Sequence, residues 1–210
     1  FLCGTTGEGM LMSLDERKKL LEEVNNAVGK KLKVIAHTGC LDFISTLDLT
    51  EHAAAIGACA AGIVTPAFYS YDAEAIYSYY SSLAKAVNPF PILLYNLPSC
   101  AKNVLRPSLV ARLSQDLSNI VGIKDSGSEL QAQFRMVTDT HPDFAVINGC
   151  DEYTFHALVG GAKGSVSSTA NVIPEVFLGV YSNVKKNNFK KALEYQAKLS
   201  KATEIFHYGA

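Results

Sequence analysis

The chain has 210 residues, of which 48% are hydrophobic and 19% are charged, and its formal net charge at pH 7 is -1. This length and balance indicate a folded domain with one core and exclude a disordered chain. The 19 basic and 20 acidic residues are interspersed, which excludes the basic surface that nucleic-acid binding requires. Apolar runs such as Pro91–Tyr95 are too short to span a bilayer, so we expect no membrane partner.

Short apolar segments alternate with amphipathic segments along the whole chain. In chain order, the first half predicts the end of a strand at 1–3, a helix at 14–28, a strand at 33–37, a helix at 45–60, a strand at 62–65, a helix at 73–87 and a strand at 91–95. The second half predicts a helix at 107–117, a strand at 120–124, a helix at 128–138, a strand at 144–148, a helix at 153–159, a strand at 165–167, and helices at 174–186 and 189–206.

The predicted strands are apolar on consecutive positions and are separated by helices rather than by hairpin turns. This is the pattern of a parallel sheet covered by helices. An open doubly wound sheet is the alternative, but it usually carries a nucleotide-binding loop, and neither G-x-G-x-x-G nor G-x-x-x-x-G-K-[ST] occurs here. We therefore predict a (β/α)8 barrel, in which one βα unit before Phe1 would supply the eighth strand.

The chain contains five cysteines, an odd number, and no two of them form a C-x-x-C pair. They are scattered along the sequence, at Cys3, Cys40, Cys59, Cys100 and Cys150. This distribution favours reduced thiols over a disulfide framework or a zinc site. We therefore expect a cytoplasmic protein.

Two reactive side chains stand at the ends of neighbouring predicted strands, where barrel enzymes place their catalytic groups. Lys124 ends the run NIVGIK, and partial burial there would favour the neutral amine that attacks carbonyl carbon. Tyr95 ends ILLYN on the preceding strand, about 4.8 Å away, where its phenol would relay protons. The alternatives are a surface lysine paired with Asp125 and a core tyrosine satisfied by backbone. We interpret His37, another strand end, as a pocket-wall residue.

The loop at Gly4–Gly9, GTTGEG, combines small residues, two hydroxyls and accessible N–H groups ahead of a predicted helix. Converging N–H donors at such a turn suit a carboxylate or a phosphate. A plain βα turn has a similar composition, and Glu8 could simply brace the loop.

Five spaced motifs together resemble the N-acetylneuraminate lyase / dihydrodipicolinate synthase family of class I aldolases. They are GTTGE at Gly4–Glu8, YNLP at Tyr95–Pro98, GIKDS at Gly122–Ser126, NGCDE at Asn148–Glu152 and GSVSSTANVIPE at Gly164–Glu175. The resemblance implies a pyruvate-binding enzyme that needs no metal and no organic cofactor and assembles as a homotetramer. It also implies that residues 1–187 form a barrel truncated at its N-terminus, and that residues 188–210 begin a C-terminal helical extension.

The same resemblance implies roles for individual residues. Lys124 matches the lysine that forms an imine with C2 of pyruvate, and Tyr95 matches the tyrosine that shuttles protons. Thr5 and Thr6 match the threonines that hold the pyruvate carboxylate, and the backbone at Val166 falls where the family contacts bound pyruvate.

Two departures from the family's pattern count against the synthase. Dihydrodipicolinate synthases carry an arginine two residues after the YNxP motif, where this chain has Cys100, and Lys102 is a poor substitute for a bidentate fork. They also often carry a tyrosine at the position of Phe68, which completes a proton relay across a subunit boundary. Tyr69 is adjacent to that position.

The loop after the 144–148 strand favours a sugar-acid lyase. Gly149, Asp151 and Glu152 resemble the stretch that sialic acid lyases use for substrate hydroxyls, and with Ser168 they would suit a polyol chain. Capping of a helix N-terminus is the alternative role for the two carboxylates.

We predict a pyruvate-dependent Schiff-base aldol-lyase that cleaves a 2-keto-3-deoxy sugar acid, and N-acetylneuraminate is the first candidate substrate. GIKDS is closer to the synthases and sugar-acid aldolases, so dihydrodipicolinate synthase is one alternative, and a non-catalytic keto-acid-binding barrel is another.

Overall fold

One parallel sheet runs through the chain in sequential strand order. The structure is a computed structural model that describes residues 1–204, apart from the side chain of Lys30. Within that range the strands are β1 (Ile35–His37), β2 (Ala60–Val64), β3 (Ile92–Asn96), β4 (Ile120–Asp125), β5 (Ala145–Asn148) and β6 (Gly164–Ser165). Ahead of β1, Leu2 is bridged in parallel to Ala36, so the opening segment continues the sheet at that edge.

Helices connect the strands and follow the last one. They are α1 (Leu14–Val28), α2 (Phe43–Ala55), α3 (Ala73–Ala86), α4 (Pro98–Ala101), α5 (Pro107–Asp116), α6 (Leu130–Asp139), α7 (Thr154–Val159), α8 (Pro174–Lys185) and α9 (Phe189–Thr203). Among residues 1–204, no helix has both the length and the hydrophobicity needed to cross a membrane.

Local sequence explains where several of these helices begin. Ser13 caps α1, because its hydroxyl accepts the Glu16 N–H while the Glu16 carboxylate accepts the Ser13 N–H at 2.8 Å. The carboxylates of Asp42 and Asp72 cap α2 and α3 by accepting the N–H groups of Ser45 and Ala75. Proline occupies the first turn of α4, α5 and α8, where its missing N–H would have had no partner.

The predicted strands and helices occur in the predicted order, α4 is an additional short helix, and several bounds differ by one or more residues. The helix predicted at 45–60 ends at Ala55, because Gly57 adopts a left-handed conformation (φ 80°) that stops it. The strand end predicted at 1–3 is a single bridged residue, and the strand predicted at 165–167 is Gly164–Ser165. The predicted last helix reached 206, and its positions 205 and 206 lie outside the described residues.

The two faces of the sheet have different chemistry near the carboxyl ends of β3, β4 and β5. In register, Tyr95 pairs with Lys124, and in the next row Asn96 pairs with Asp125, which pairs with Asn148. Because successive side chains of a strand point to opposite faces, these two rows lie on opposite faces of the sheet.

The face with Asn96 and Asp125 packs against the helices. Its apolar members include Ile63, Leu94 and Ile123, which are fully buried in the main core with Leu83, Val110 and Leu113 of the helix layer. The opposite face carries the row of Lys124 and Tyr95 into the interior of the curled sheet. The packed helix layer thus holds the strands that present these two side chains.

Candidate active site

Lys124 is buried at the end of β4, with 7% of its surface exposed. Its Nζ donates a hydrogen bond to Ser126 Oγ at 3.1 Å and lies 3.8 Å from the centroid of the Tyr95 ring. No carboxylate lies within ion-pair distance of this amine in the described part of the chain. The expected alternative of a surface lysine paired with Asp125 is therefore wrong.

Burial changes the acidity of this amine. It lowers the pKa of Lys124 from 10.5 to about 8, against the opposing effect of the negative charges of Asp125 and Asp151. A pKa of about 8 gives roughly 300 times more neutral amine at pH 7 than an exposed lysine has. The neutral amine is the form that adds to a carbonyl carbon.

Tyr95 is buried beside Lys124, and its hydroxyl lies 3.1 Å from Thr5 Oγ1 within hydrogen-bonding distance. Burial raises the pKa of the phenol above 10.0, and the hydrogen bonds to Thr5 and Ser126 act in the opposite direction. The phenol is therefore neutral at pH 7. A neutral phenol held by a second hydroxyl can accept one proton while it gives up another.

The loop between Cys3 and Gly9 meets the loop after β6. Thr6 Oγ1 is hydrogen bonded to Ser168 Oγ, although the two residues are 162 positions apart. Thr5 and Thr6 are exposed, and the bond from Thr5 to Tyr95 places this loop over the row of Tyr95 and Lys124. The structure thus brings Thr5, Thr6 and Ser168 to the same end of the sheet as the two reactive side chains.

The loop after β5 carries the two predicted acidic residues. Asp151 Oδ2 accepts a hydrogen bond from Thr169 Oγ1 at 2.6 Å, and its charge acts on Lys124. Glu152 is exposed and accepts a weak bond from the Cys150 thiol at 3.4 Å. Both carboxylates lie in the first turn of the short helix Asp151–Tyr153, but within residues 1–204 neither caps it by accepting a backbone N–H.

Gly149 and Val166 lie close to this centre through their backbones. The Gly149 carbonyl accepts a hydrogen bond from Ser126 Oγ at 3.4 Å, and a Cβ at Gly149 would overlap with that hydroxyl. The Val166 N–H donates to the Asn148 carbonyl at 2.8 Å, so it is already used by the sheet. A contact from Val166 to a ligand would therefore use its carbonyl oxygen.

Ser126 had no predicted role, although it belongs to the GIKDS motif. The structure places its hydroxyl between Lys124 Nζ and the Gly149 carbonyl. Its position two residues after Lys124, hence on the same side of an extended chain, was the signal that could have identified it.

His37 lies behind Tyr95 as part of the pocket wall. Its Nδ1 is 3.0 Å from the Cys3 carbonyl, and its ring packs edge to face with Tyr95 at a centroid distance of 5.6 Å. Burial lowers the pKa of His37 to about 3, with the nearby charge of Arg17 as the second cause. The ring is therefore neutral, and it donates its Nδ1–H to the carbonyl. Among residues 1–204, no three His, Cys, Asp or Glu side chains are grouped to hold a metal ion.

The position at which dihydrodipicolinate synthases carry an arginine is occupied by Cys100 in this chain. Cys100 and Lys102 are both exposed near α4. Phe68 and Tyr69 are 73% and 64% exposed, and their rings pack edge to face with centroids 4.9 Å apart. Phe68 has a positive φ of 74°, which is unusual for a bulky residue and turns its side chain outward from the loop.

Comparisons with known proteins give the family. The model of the Dihydrodipicolinate synthetase family matches residues 1–208. The chain belongs to this family. Its members are class I aldolases and lyases, and its solved structures show that the six strands described above belong to a (β/α)8 barrel, as predicted.

Three similar proteins show the range of the family. A 4-hydroxy-tetrahydrodipicolinate synthase of Thermus thermophilus is 34% identical over 205 residues, 98% of this chain and 69% of that protein. YagE of E. coli K12, solved in complex with pyruvate, has a TM-score of 0.94 and 27% identity over 99% of this chain and 70% of its own. A 2-keto 3-deoxygluconate aldolase of Picrophilus torridus has a TM-score of 0.86 and 30% identity over 93% of this chain and 69% of its own.

Proposed function

We propose that this protein is a pyruvate-dependent aldol-lyase that forms a Schiff base at Lys124 and cleaves a 2-keto-3-deoxy sugar acid. The observation that carries the proposal is the buried Lys124 amine, with its pKa lowered to about 8, lying 3.8 Å from the ring of Tyr95. A nucleophilic amine and a neutral phenol on neighbouring strands are the two groups that imine chemistry requires.

The reaction begins when the neutral amine adds to the C2 keto carbon of the substrate and water leaves. The protonated imine then draws electrons from the C3–C4 bond. As the C3–C4 bond breaks, the Tyr95 hydroxyl accepts the proton of the C4 hydroxyl and passes its own proton to the substrate carboxylate, so the phenol stays neutral. An aldehyde sugar leaves, and the enamine of pyruvate is protonated and hydrolysed from Lys124.

The pyruvate end of the substrate would be held by the loop at Thr5 and Thr6. The two hydroxyls are close to Tyr95 and Ser168 respectively, so a carboxylate bound there lies beside the reacting carbon. The carbonyl oxygen of Val166 would face the same end. These contacts would hold C2 within reach of the Lys124 amine. Binding would thus supply the entropy cost of bringing the two reacting atoms together before the reaction.

The proposed sugar acid rests on the groups at the other end of the site. Asp151, Glu152 and Ser168 offer acceptors for hydroxyl groups, and the Gly149 backbone joins them. Cys100 stands at the arginine position in α4, and Lys102, directly after α4, is the exposed cation nearest to it in the sequence. The similarity to a 2-keto 3-deoxygluconate aldolase supports the same class of substrate. N-acetylneuraminate is our first candidate within it.

Dihydrodipicolinate synthase is the second candidate, because relatives at 34% and 35% identity carry the name 4-hydroxy-tetrahydrodipicolinate synthase. That reaction uses the same imine and condenses it with aspartate semialdehyde. The homotetramer, the helical extension at 188–210 and the cytoplasmic location stay predictions.

A coupled assay and reductive trapping together test the proposed function. Incubation with pyruvate and borohydride should add the mass of one reduced pyruvate to the protein. Pyruvate release, followed with lactate dehydrogenase, should occur with N-acetylneuraminate or 2-keto-3-deoxygluconate. Absence of the adduct would leave only the keto-acid-binding barrel. Turnover of aspartate semialdehyde with silence on every sugar acid would establish the synthase instead.

The rate of adduct formation should depend on pH through Lys124. Below the pKa of about 8 the neutral fraction of the amine rises tenfold with each pH unit, and above it the fraction is nearly constant. We therefore expect the trapping rate with pyruvate to rise up to about pH 8 and then to level off. Mass spectrometry of samples quenched at fixed times between pH 6 and pH 10 measures it, and a rate still rising tenfold per unit at pH 9.5 would contradict a lowered pKa.

A further inference from the structure

Asp125 lies directly after Lys124, on the helix-facing side of the sheet. It is 2% exposed, and in the described chain no lysine or arginine lies within ion-pair distance of its carboxylate. Oδ1 accepts hydrogen bonds from Asn96 Nδ2 at 2.7 Å and from the Gly127 N–H at 3.1 Å. Oδ2 accepts from Gln133 Nε2 at 3.2 Å. A buried group that accepts three bonds from N–H donors has the pattern of an ionised carboxylate.

The network continues from this carboxylate to the loop that carries Asp151 and Glu152. Gln133, on α6, also donates to Asn148 Oδ1 at 3.4 Å. Asn148 Nδ2 in turn donates to the Cys150 carbonyl at 2.7 Å, one residue before Asp151. The Gly149 N–H donates to the Asp125 carbonyl at 2.7 Å. Two paths of hydrogen bonds therefore join the residue after Lys124 to the start of this loop.

We propose that Asp125 is a positioning residue that serves the active site from behind the sheet. Its carboxylate fixes the loop of Asp151 and Glu152 relative to Lys124, and its negative charge stabilises the cationic imine formed at the neighbouring amine. The proposal rests on the proposed function, because it concerns the imine at Lys124.

The charge acts across the backbone of β4, where little water screens it. Lys124 has few other charged neighbours. Asp151 acts in the same sense as Asp125, whereas the His37 ring and the Tyr95 phenol are neutral. Glu129, at the start of α6, is the further carboxylate that acts on Asp125. Removal of the Asp125 charge should therefore be felt directly at Lys124.

Two variants separate the charge from the connection to the loop. Asp125→Asn keeps the shape and removes the charge, and the Gln133 amide must turn over so that its Oε1 accepts from the new amide. This turn also breaks the bond to Asn148, so the effect of the charge is the difference between this variant and Gln133→Leu. Gln133→Leu keeps the charge and breaks the bridge to Asn148. Asp139→Asn, a surface carboxylate on α6, is the matched control for net charge.

The experiment measures the pH dependence of pyruvate trapping and the kinetics of sugar-acid cleavage. Asp125→Asn should move the midpoint of the trapping profile about one unit lower, a roughly tenfold change in the protonation constant of the amine, and should lower kcat. Gln133→Leu should leave the midpoint in place and raise KM for the sugar acid severalfold. Asp139→Asn should change neither.

Each outcome decides the proposal. A wild-type adduct with unchanged midpoint in Asp125→Asn and unchanged KM in Gln133→Leu would overturn it and leave the proposed function standing. No adduct in the wild type would overturn both. Should Asp125→Asn fail to fold, an unchanged KM in Gln133→Leu still contradicts the positioning role.

Discussion

Replacing Lys124 with methionine is expected to abolish turnover and to make the protein more stable near neutral pH. The amine is the nucleophile of the proposed imine, so the variant should form no pyruvate adduct and lose at least about a thousandfold in kcat/KM. Reductive trapping followed by mass spectrometry measures the first effect, and the coupled assay measures the second. Both effects would follow from the loss of the amine alone, because a methionine side chain has nearly the same volume as a lysine side chain.

The stability gain comes from burial of the amine. The pKa of Lys124 is about 8 in the folded protein against 10.5 for an exposed lysine, so the unfolded chain binds more protons between these pH values. The cost of burial, about 3 kcal/mol, is fully present below pH 8 and disappears as the pH rises past 10.5. The free energy of unfolding of Lys124→Met should exceed that of the wild type by about this amount at pH 7.

Urea denaturation at pH 7 and at pH 10.5 gives the difference between variant and wild type, and that difference should shrink at the higher pH. Lys163→Met, at an exposed position before β6, is the matched control and should change neither the adduct nor the stability. A pyruvate adduct on the Lys124→Met variant would show that another lysine is the nucleophile. A variant that is less stable than the wild type at pH 7 would show that the amine is not desolvated.

The position of the reactive pair could be predicted from the sequence. Apolar runs end at Tyr95 and at Lys124, and a parallel sheet brings the carboxyl ends of its strands to one edge. The strand register confirms this part, since Tyr95 pairs with Lys124 in neighbouring strands. The lowered pKa of Lys124 follows from the same pattern, because a strand inside a barrel wall excludes water from the side chain at its end.

Contacts between distant segments could not be predicted in this way. The bond between Thr6 and Ser168 joins loops 162 residues apart, and no local pattern specifies it. The same holds for the carboxylate of Asp125, because its partner Gln133 is selected by how α6 packs on the sheet. The error in the predicted end of α2 has a local cause. The run AAAIGACAAG is compatible with both helix and strand, and the helix ends where Gly57 adopts a left-handed conformation.

Replacing Tyr95 with phenylalanine is expected to slow sugar-acid cleavage by about a hundredfold to a thousandfold while leaving the imine intact. The substitution removes only the hydroxyl that lies 3.1 Å from Thr5 Oγ1, and the ring that packs against Lys124 Nζ stays. The variant should therefore still trap pyruvate, since the amine keeps its buried position. Its stability should change by less than about 1 kcal/mol, because Thr5 is exposed and can bond to water instead.

Tyr80→Phe is the matched control, because it removes a hydroxyl of the same kind at a site away from the reaction. The Tyr80 hydroxyl donates to the Ile63 carbonyl at 2.9 Å and is fully buried, so its loss leaves that carbonyl short of a partner. This variant should lose about 1–2 kcal/mol of stability and keep its kcat. Tyr95→Phe should therefore lower kcat with little change in stability, whereas Tyr80→Phe should lower stability with little change in kcat. A Tyr95→Phe enzyme that cleaves the sugar acid at the wild-type rate would mean that the proton leaves by another route, such as the Ser126 hydroxyl that is hydrogen bonded to the Lys124 amine.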